Sequence, residues 1–288
     1  MLMSQFAPTG HVTSRLGFGG AAMGLSNYVR PYDAVASRDV SLTAVRRALE
    51  RGVTYFDTAP GYGKGLSEEI MGEALADRPE VFLASKVPLA SAGDVRRSLE
   101  DSLQRLRRPR LDLLQIHGGS FDAETVRGIL GAGGMLEQMV RLREEGLIRA
   151  IGFTSEDNNR GVYDLIDSGG FDSMQISYNL LLQHPYEPTR PFGSLFAAKQ
   201  RGLFVIAMRA VTSGIFQKWV RMVNPGDSFD YTESLLQFVL SNKFIDVALA
   251  GMRTPEEVDS SCRVWRDLAG RIDIDALWGR YVLGSRQP

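Results

Sequence analysis

Short apolar runs, rich in β-branched and aromatic residues, recur along the chain at 16–20, 53–56, 81–84, 111–116, 148–153, 173–176, 203–208 and 247–250. Runs of this length, bounded by glycine or polar residues, suit strands buried on both faces. Between them the apolar positions fall at three- and four-residue steps. Leu42, Val45, Ala48 and Leu49 do so in one segment, and Val95, Leu99, Leu103 and Leu106 in another. Leu136, Met139, Val140 and Leu142 follow the same spacing, and all three segments predict helices with one apolar face. Thr254-Pro255-Glu256-Glu257 predicts a further helix start: a capping hydroxyl, proline at the first helical position, and acids in the first turn.

Strand and helix alternate without a break, which predicts an α/β fold with a parallel sheet wrapped by helices. Eight such strands predict a closed (β/α)8 TIM barrel rather than an open sheet. No Pro- or Ser-rich linker divides the chain, so 1–288 is read as a single barrel domain. The long loops are expected at 21–38, 118–134, 179–191 and 210–231, all leaving the C-terminal ends of strands, where barrel active sites lie.

Composition narrows the function classes. The chain is 44% hydrophobic and 23% charged, with a formal net charge of -1, so no basic excess points to nucleic acid. The arginines at 96–97 and 105–110 are expected on the solvated side of a helix. One cysteine, Cys262, excludes an internal disulfide, fits a reducing compartment, and is expected on the inner face of a late helix. The three histidines, His11, His117 and His184, lie far apart, and no metal is expected. No stretch of roughly 20 apolar residues predicts a membrane span. The first residues lack a charged leader, so a cytoplasmic protein is expected. Oligomeric state is not readable.

The polar residues that end the strands carry the chemistry. Asp57 ends the second run, Lys86 the third and His117 the fourth, and Tyr62 follows Asp57 in a glycine-flanked loop. Singly, an Asp here is a helix cap, a Tyr is packing and a Lys faces solvent. On consecutive strands they meet at one barrel mouth, where a buried Lys and Asp are expected to pair.

The segment Phe56-Asp57-Thr58-Ala59-Pro60-Gly61-Tyr62-Gly63, then Ser67-Glu68-Glu69 and Met71-Gly72-Glu73-Ala74-Leu75, resembles the signature of the aldo/keto reductase superfamily. So do Ser85-Lys86, Asp112-Leu113-Leu114-Gln115-Ile116-His117, Ile148-Arg149-Ala150-Ile151-Gly152-Phe153 and Gln175-Ile176-Ser177-Tyr178-Asn179. The resemblance implies an NAD(P)(H)-dependent oxidoreductase with the tetrad Asp57, Tyr62, Lys86 and His117, acting on a small-molecule carbonyl compound or the matching alcohol or aldose. It leaves a second reading on the same fold, a nucleotide-binding, redox-sensing regulatory subunit.

By the same resemblance Thr154, Ser155 and Gln175 contact the carboxamide, with Asp57 also near the cofactor, and Ser213 and Gly214 contact phosphate. Met208 aligns with a residue beneath the nicotinamide, although the residue alone fits barrel core as well. Gly251, Arg253, Glu257 and Ser261 match the adenosine-phosphate site. Arg253 there favours NADP(H), and Glu257 keeps NAD(H) open, since a carboxylate repels a 2′-phosphate and accepts from a ribose hydroxyl. Tyr28, Tyr32 and Phe121 are candidates for the substrate pocket or for packing beneath loops, and Gly118-Gly119 suggests a roomy mouth. A Lys86 ammonium beside Tyr62 is expected to lower the phenol pKa.

Overall fold

The computed structural model describes residues 1–28, 31–187 and 192–284. Within these residues the chain opens with an antiparallel hairpin of β1 (Met3–Phe6) and β2 (His11–Ser14). Eight parallel strands then close into a barrel: β3 (Leu16–Gly19), β4 (Tyr55–Asp57), β5 (Phe82–Pro88), β6 (Leu111–His117), β7 (Ile148–Ser155), β8 (Ser173–Ser177), β9 (Phe204–Met208) and β10 (Val247–Gly251). Each pairs with the next in sequence, and β10 closes on β3. The barrel and its eight strands match the sequence expectation. Among the described residues no helix is long and apolar enough to cross a membrane.

Alternation along each strand separates two cores. Outward residues such as Phe56, Leu83, Leu114, Ile151 and Val205 pack beneath the helices. Inward residues Tyr55, Phe82, Ala84, Leu113, Ala150, Phe204, Ile206, Val247 and Leu249 fill the barrel. Phe6 of the hairpin completes this inner layer from below, its ring 5.1 Å from Phe82 and 4.9 Å from Phe204. The hairpin is stitched to the barrel floor by Ser4 Oγ, which donates to the carbonyl of Asp246 at 2.8 Å. Two residues further along each strand, on the same inward face, stand Asp57, Lys86, Gln115 and Met208. The period of two thus turns an apolar plug into a polar layer beneath the mouth.

Several local expectations change. The segments expected as loops contain helices Ala21–Gly24, Ala123–Leu130 and Ile215–Val223. Residues 29–30 and 188–191 of two expected loops lie outside the described residues. The arginine run is not wholly solvated. Arg105 and Arg108 are half-buried: Arg105 Nε donates at 2.6 Å to Glu68, a fully buried carboxylate that also accepts from Ser85 Oγ at 2.7 Å. Arg108 instead ties down the carbonyls of Leu75 and Arg78. The last long helix, Pro255–Arg266, starts as expected, with Thr254 Oγ1 accepting from the backbone of Glu257. Cys262 is buried on it, and burial pushes its thiol up to about 11, which keeps it protonated.

Candidate active site

The mouth layer centres on a buried ion pair. Lys86 Nζ lies 2.5 Å from Asp57 Oδ1 and donates also to the carbonyl of Thr58 at 2.7 Å. Lys86 and Asp57 are 1% and 2% exposed, so neither charge is relieved by water. Burial disfavours the ammonium, but Asp57 and then Tyr62 outweigh it, and the lysine pKa is raised. Lys86 therefore stays charged across the neutral range.

Tyr62 is brought over this pair by backbone packing. Its amide donates to the carbonyl of Ala59, and its carbonyl accepts from Ser67. Gly63 lies at φ +70, and a Cβ there would fall 2.2 Å from the carbonyl oxygen of Gly24, so only glycine permits this approach. The Lys86 ammonium sits 5.0 Å from the centroid of the Tyr62 ring. Contrary to expectation, the phenol pKa is raised from its ordinary value: burial dominates, and Lys86 offsets only part of it. His117, at the end of β6, stands edge-on to Tyr62. Burial first, then Lys86, lower its imidazole to about 4, leaving it neutral at pH 7. The corner thus holds a phenol that keeps its proton, an ammonium beside it and a neutral ring facing it. Such a corner can hydrogen-bond a carbonyl oxygen and deliver a proton to it.

A polar chain runs inward from this corner. Gln115 Nε2 donates to Asp57 Oδ2 at 3.1 Å and to Gln175 Oε1 at 3.2 Å, and Gln175 Nε2 approaches Met208 Sδ at 3.6 Å. The turn after His117 is pinned by Thr154 Oγ1, which donates to the carbonyl of Gly118 and accepts from its amide.

An open cavity of about 560 Å³ joins these groups. It begins at Tyr28, Asp57, Tyr62, Lys86, His117 and Thr154, passes Gln175, Met208, Ser213 and Gly214, and ends at Gly251, Arg253, Glu257 and Ser261. At the far end Arg253 is 4% exposed, its Nε donating to the carbonyl of Ala22 at 2.7 Å. Its guanidinium lies 4.2 Å from the centroid of the Tyr32 ring. Glu257 accepts from the Arg253 backbone amide at 2.7 Å, so its carboxylate closes the start of the helix as well as lining the cavity. Tyr28 reaches across the mouth to Ser213, with their oxygens 3.3 Å apart.

Three candidates stand outside the cavity wall. Ser155 is buried and donates to the carbonyls of Gly119 and Asp157, knitting the loop instead. Phe121 is buried against Phe153 and fills the space that a side chain at position 118 would need. Tyr32 lies behind Arg253 and hydrogen-bonds Ser41 at 2.7 Å. The cavity also has walls that were not singled out in the sequence: Glu156 and Arg209, which form an ion pair, and Gln217 and Asp230. Gln115 was missed as well, although its even spacing from Leu113 and His117 puts it on the inward face.

The aldo/keto reductase family model matches residues 15–242. An aldo-keto reductase of Bacillus subtilis, YhdN, is 27% identical over 90% of this chain and 87% of its own length. L-galactose dehydrogenase of Arabidopsis thaliana is 28% identical over 88% of this chain and 84% of its own. Among solved structures, an aldo/keto reductase from Klebsiella pneumoniae in complex with NADP and acetate superposes with a TM-score of 0.74. It is 22% identical, with 96% of this chain and 94% of that one covered.

Proposed function

Because this chain belongs to the aldo/keto reductase family, we propose that it reduces small-molecule aldehydes or ketones with NADP(H), or oxidises the matching alcohols, with Tyr62 as the proton donor and acceptor. The observation that carries this reading is the buried Lys86–Asp57 pair beneath a Tyr62–His117 corner, opening into one long cavity.

The residues fit a nicotinamide dinucleotide. Gln175 offers an amide to a carboxamide, and Met208 an apolar surface to a ring face. Ser213 and Gly214, both at positive φ, turn backbone toward the cavity, where a pyrophosphate would bind. Arg253 and the start of helix Pro255–Arg266 supply positive charge for a 2′-phosphate, which favours NADP(H) over NAD(H). When bound, the nicotinamide supplies or accepts the hydride. The protein moves the proton. Neutral His117 donates a hydrogen bond to the substrate oxygen and sets its position; Tyr62 gives that oxygen its proton, and Lys86, held by Asp57, stabilises the phenolate left behind. In alcohol oxidation the same phenolate takes the proton back.

The test is a panel of aldehydes and ketones followed by NADPH absorbance, with Tyr62→Phe alongside. The variant should lose at least about 100-fold in kcat while still binding NADP(H). A variant with wild-type kcat would remove Tyr62 from the chemistry. Tight NADP(H) binding with no turnover on the whole panel would favour a nucleotide-binding regulator.

A further inference from the structure

Arg209 follows β9, whose residues Phe204, Ile206 and Met208 face the barrel interior. By strand alternation the next side chain should face outward. Arg209 instead has a left-handed backbone, with φ +57, and lines the same cavity as Tyr62 and His117. Arginine is uncommon in that conformation, and holding it there has a cost. The turn is kept by the Arg209 carbonyl, which accepts from Asn179 Nδ2 at 3.0 Å and from the Thr212 amide at 2.8 Å.

The ion pair that Arg209 makes does not explain that cost. Its Nη2 donates to Glu156 Oε1, and the two side chains are 30% and 52% exposed. A pair this open to water contributes little to stability. Glu156 is held close to the catalytic corner: its amide donates at 2.8 Å to the carbonyl of Gly119, two residues beyond His117. Thr154, two residues before Glu156, stands opposite His117 in register. Glu156 therefore draws the guanidinium toward the turn that carries His117. Of the other cations lining the cavity, Lys86 is locked to buried Asp57, and Arg253 stands at the far end. Among the described residues no acceptor takes the remaining N–H groups of Arg209. They form a planar fork that matches a pair of anionic oxygens.

A carboxylate on the substrate and the phosphates of the dinucleotide both supply such oxygens. The tie to the His117 turn favours the substrate. We propose that Arg209 is a specificity-determining residue that binds a carboxylate carried by the carbonyl substrate, so that aldehydes or ketones bearing an acid group are the substrate class. Glu156 sets the guanidinium in place and weakens its pull on that acid group. This rests on the function proposed above.

The experiment compares kcat/KM, with NADPH, for 3- and 4-carboxybenzaldehyde, each against its methyl ester, which keeps the ring and aldehyde without the charge. Arg209→Asn removes the cation and leaves a residue that tolerates the left-handed backbone. It should lower the acid-to-ester ratio by about 10- to 100-fold for at least one isomer, the range for hydrogen bonds to charged groups. Glu156→Gln should raise that ratio by about two- to fivefold, because a competing charge is gone. Dissociation constants for NADP⁺, read by protein fluorescence, should stay at the wild-type value in both variants. Melting checks that each variant folds, and the Glu156→Gln comparison stands even if Arg209→Asn does not fold. The proposal falls if Arg209→Asn leaves both ratios unmoved, or if Glu156→Gln raises neither. A loss of NADP⁺ affinity with unmoved ratios would assign Arg209 to a dinucleotide phosphate and overturn it too. So would a wild-type protein that reduces the esters but neither acid. A wild-type protein that binds NADP⁺ and reduces no aldehyde at all would instead overturn the proposed function, and this inference with it.

Discussion

The rings of Tyr62 and His117 meet edge to face, their centroids 5.7 Å apart and their planes at 87°. The edge of one ring is directed at the face of the other, and the Lys86 ammonium lies over the Tyr62 ring. The two groups share one desolvated corner but answer differently to pH.

His117 is the acid-side group. Its imidazole sits at about 4 in the folded chain against an ordinary 6.5, owing to burial and then to Lys86. Between those values the unfolded chain binds a proton that the folded chain refuses, so stability rises with pH through that window and is lost as pH falls toward 4. Calorimetric melting from pH 7 to pH 4.5 should show the decline, and His117→Gln should flatten it. An equally steep decline in the variant would assign the effect to other groups.

Lys86→Met tests the other side. Burial already holds the Tyr62 phenol above its ordinary value, and Lys86 works against that rise. Removing the ammonium should push the phenol higher still. In the direction of alcohol oxidation, for which we propose the phenolate as base, the rising limb of the pH–rate profile should move up, with kcat down by about 100-fold or more. The same change strands Asp57 without its cation, at a cost of about 3–5 kcal/mol, readable by urea unfolding. An unmoved limb would count against coupling between Lys86 and Tyr62.

Tyr32 should set cofactor choice from behind. Its ring supports the Arg253 guanidinium, which we propose meets the 2′-phosphate. Tyr32→Ala should weaken NADP⁺ by about tenfold, near the value of a desolvated cation–aromatic contact, and NAD⁺ far less. Fluorescence titration with both dinucleotides reads this directly; equal losses would show that Arg253 does not discriminate between them.

At the opposite end of the barrel, Phe6→Ala should cost about 3–5 kcal/mol in urea unfolding, because the ring is fully buried against Phe82 and Phe204. Turnover should stay near wild type. A large drop in kcat at full folding would mean that the floor and the mouth are coupled.

The strands were legible because each is a continuous apolar run that stops at a polar residue, and both facts are written locally. Asp57, Lys86 and His117 were legible for the same reason. The hairpin was not: β1 and β2 are four residues each, too short for periodicity, and Phe6 earns its place only by reaching into a barrel built later in the chain. Helix Ile215–Val223 carries an apolar stripe at Ile215, Phe216, Trp219, Val220 and Val223 that the reading of 210–231 as loop passed over; none of its residues is buried, so the stripe does not serve the barrel core. Tyr32 lies behind Arg253, a contact between opposite ends of the chain that no local pattern announces. Gln115 was hidden by its company, one polar residue in an apolar strand, and only counting the inward face in twos reveals it. The pKa of Tyr62 depends on how much water the fold removes, which the presence of Lys86 in the sequence does not tell.

The phenylalanine stopper under the barrel also bears on how this protein can be altered. From Leu111 at the start of β6 to His117 at its end is about 20 Å at ordinary strand rise. Substitutions that far apart, sharing no partner, combine additively. Variants that tighten the hairpin end can therefore be found by melting alone and then merged with libraries at Leu25 and Tyr28 around the mouth. Gains in robustness at one end would offset losses incurred while widening the range of compounds accepted at the other.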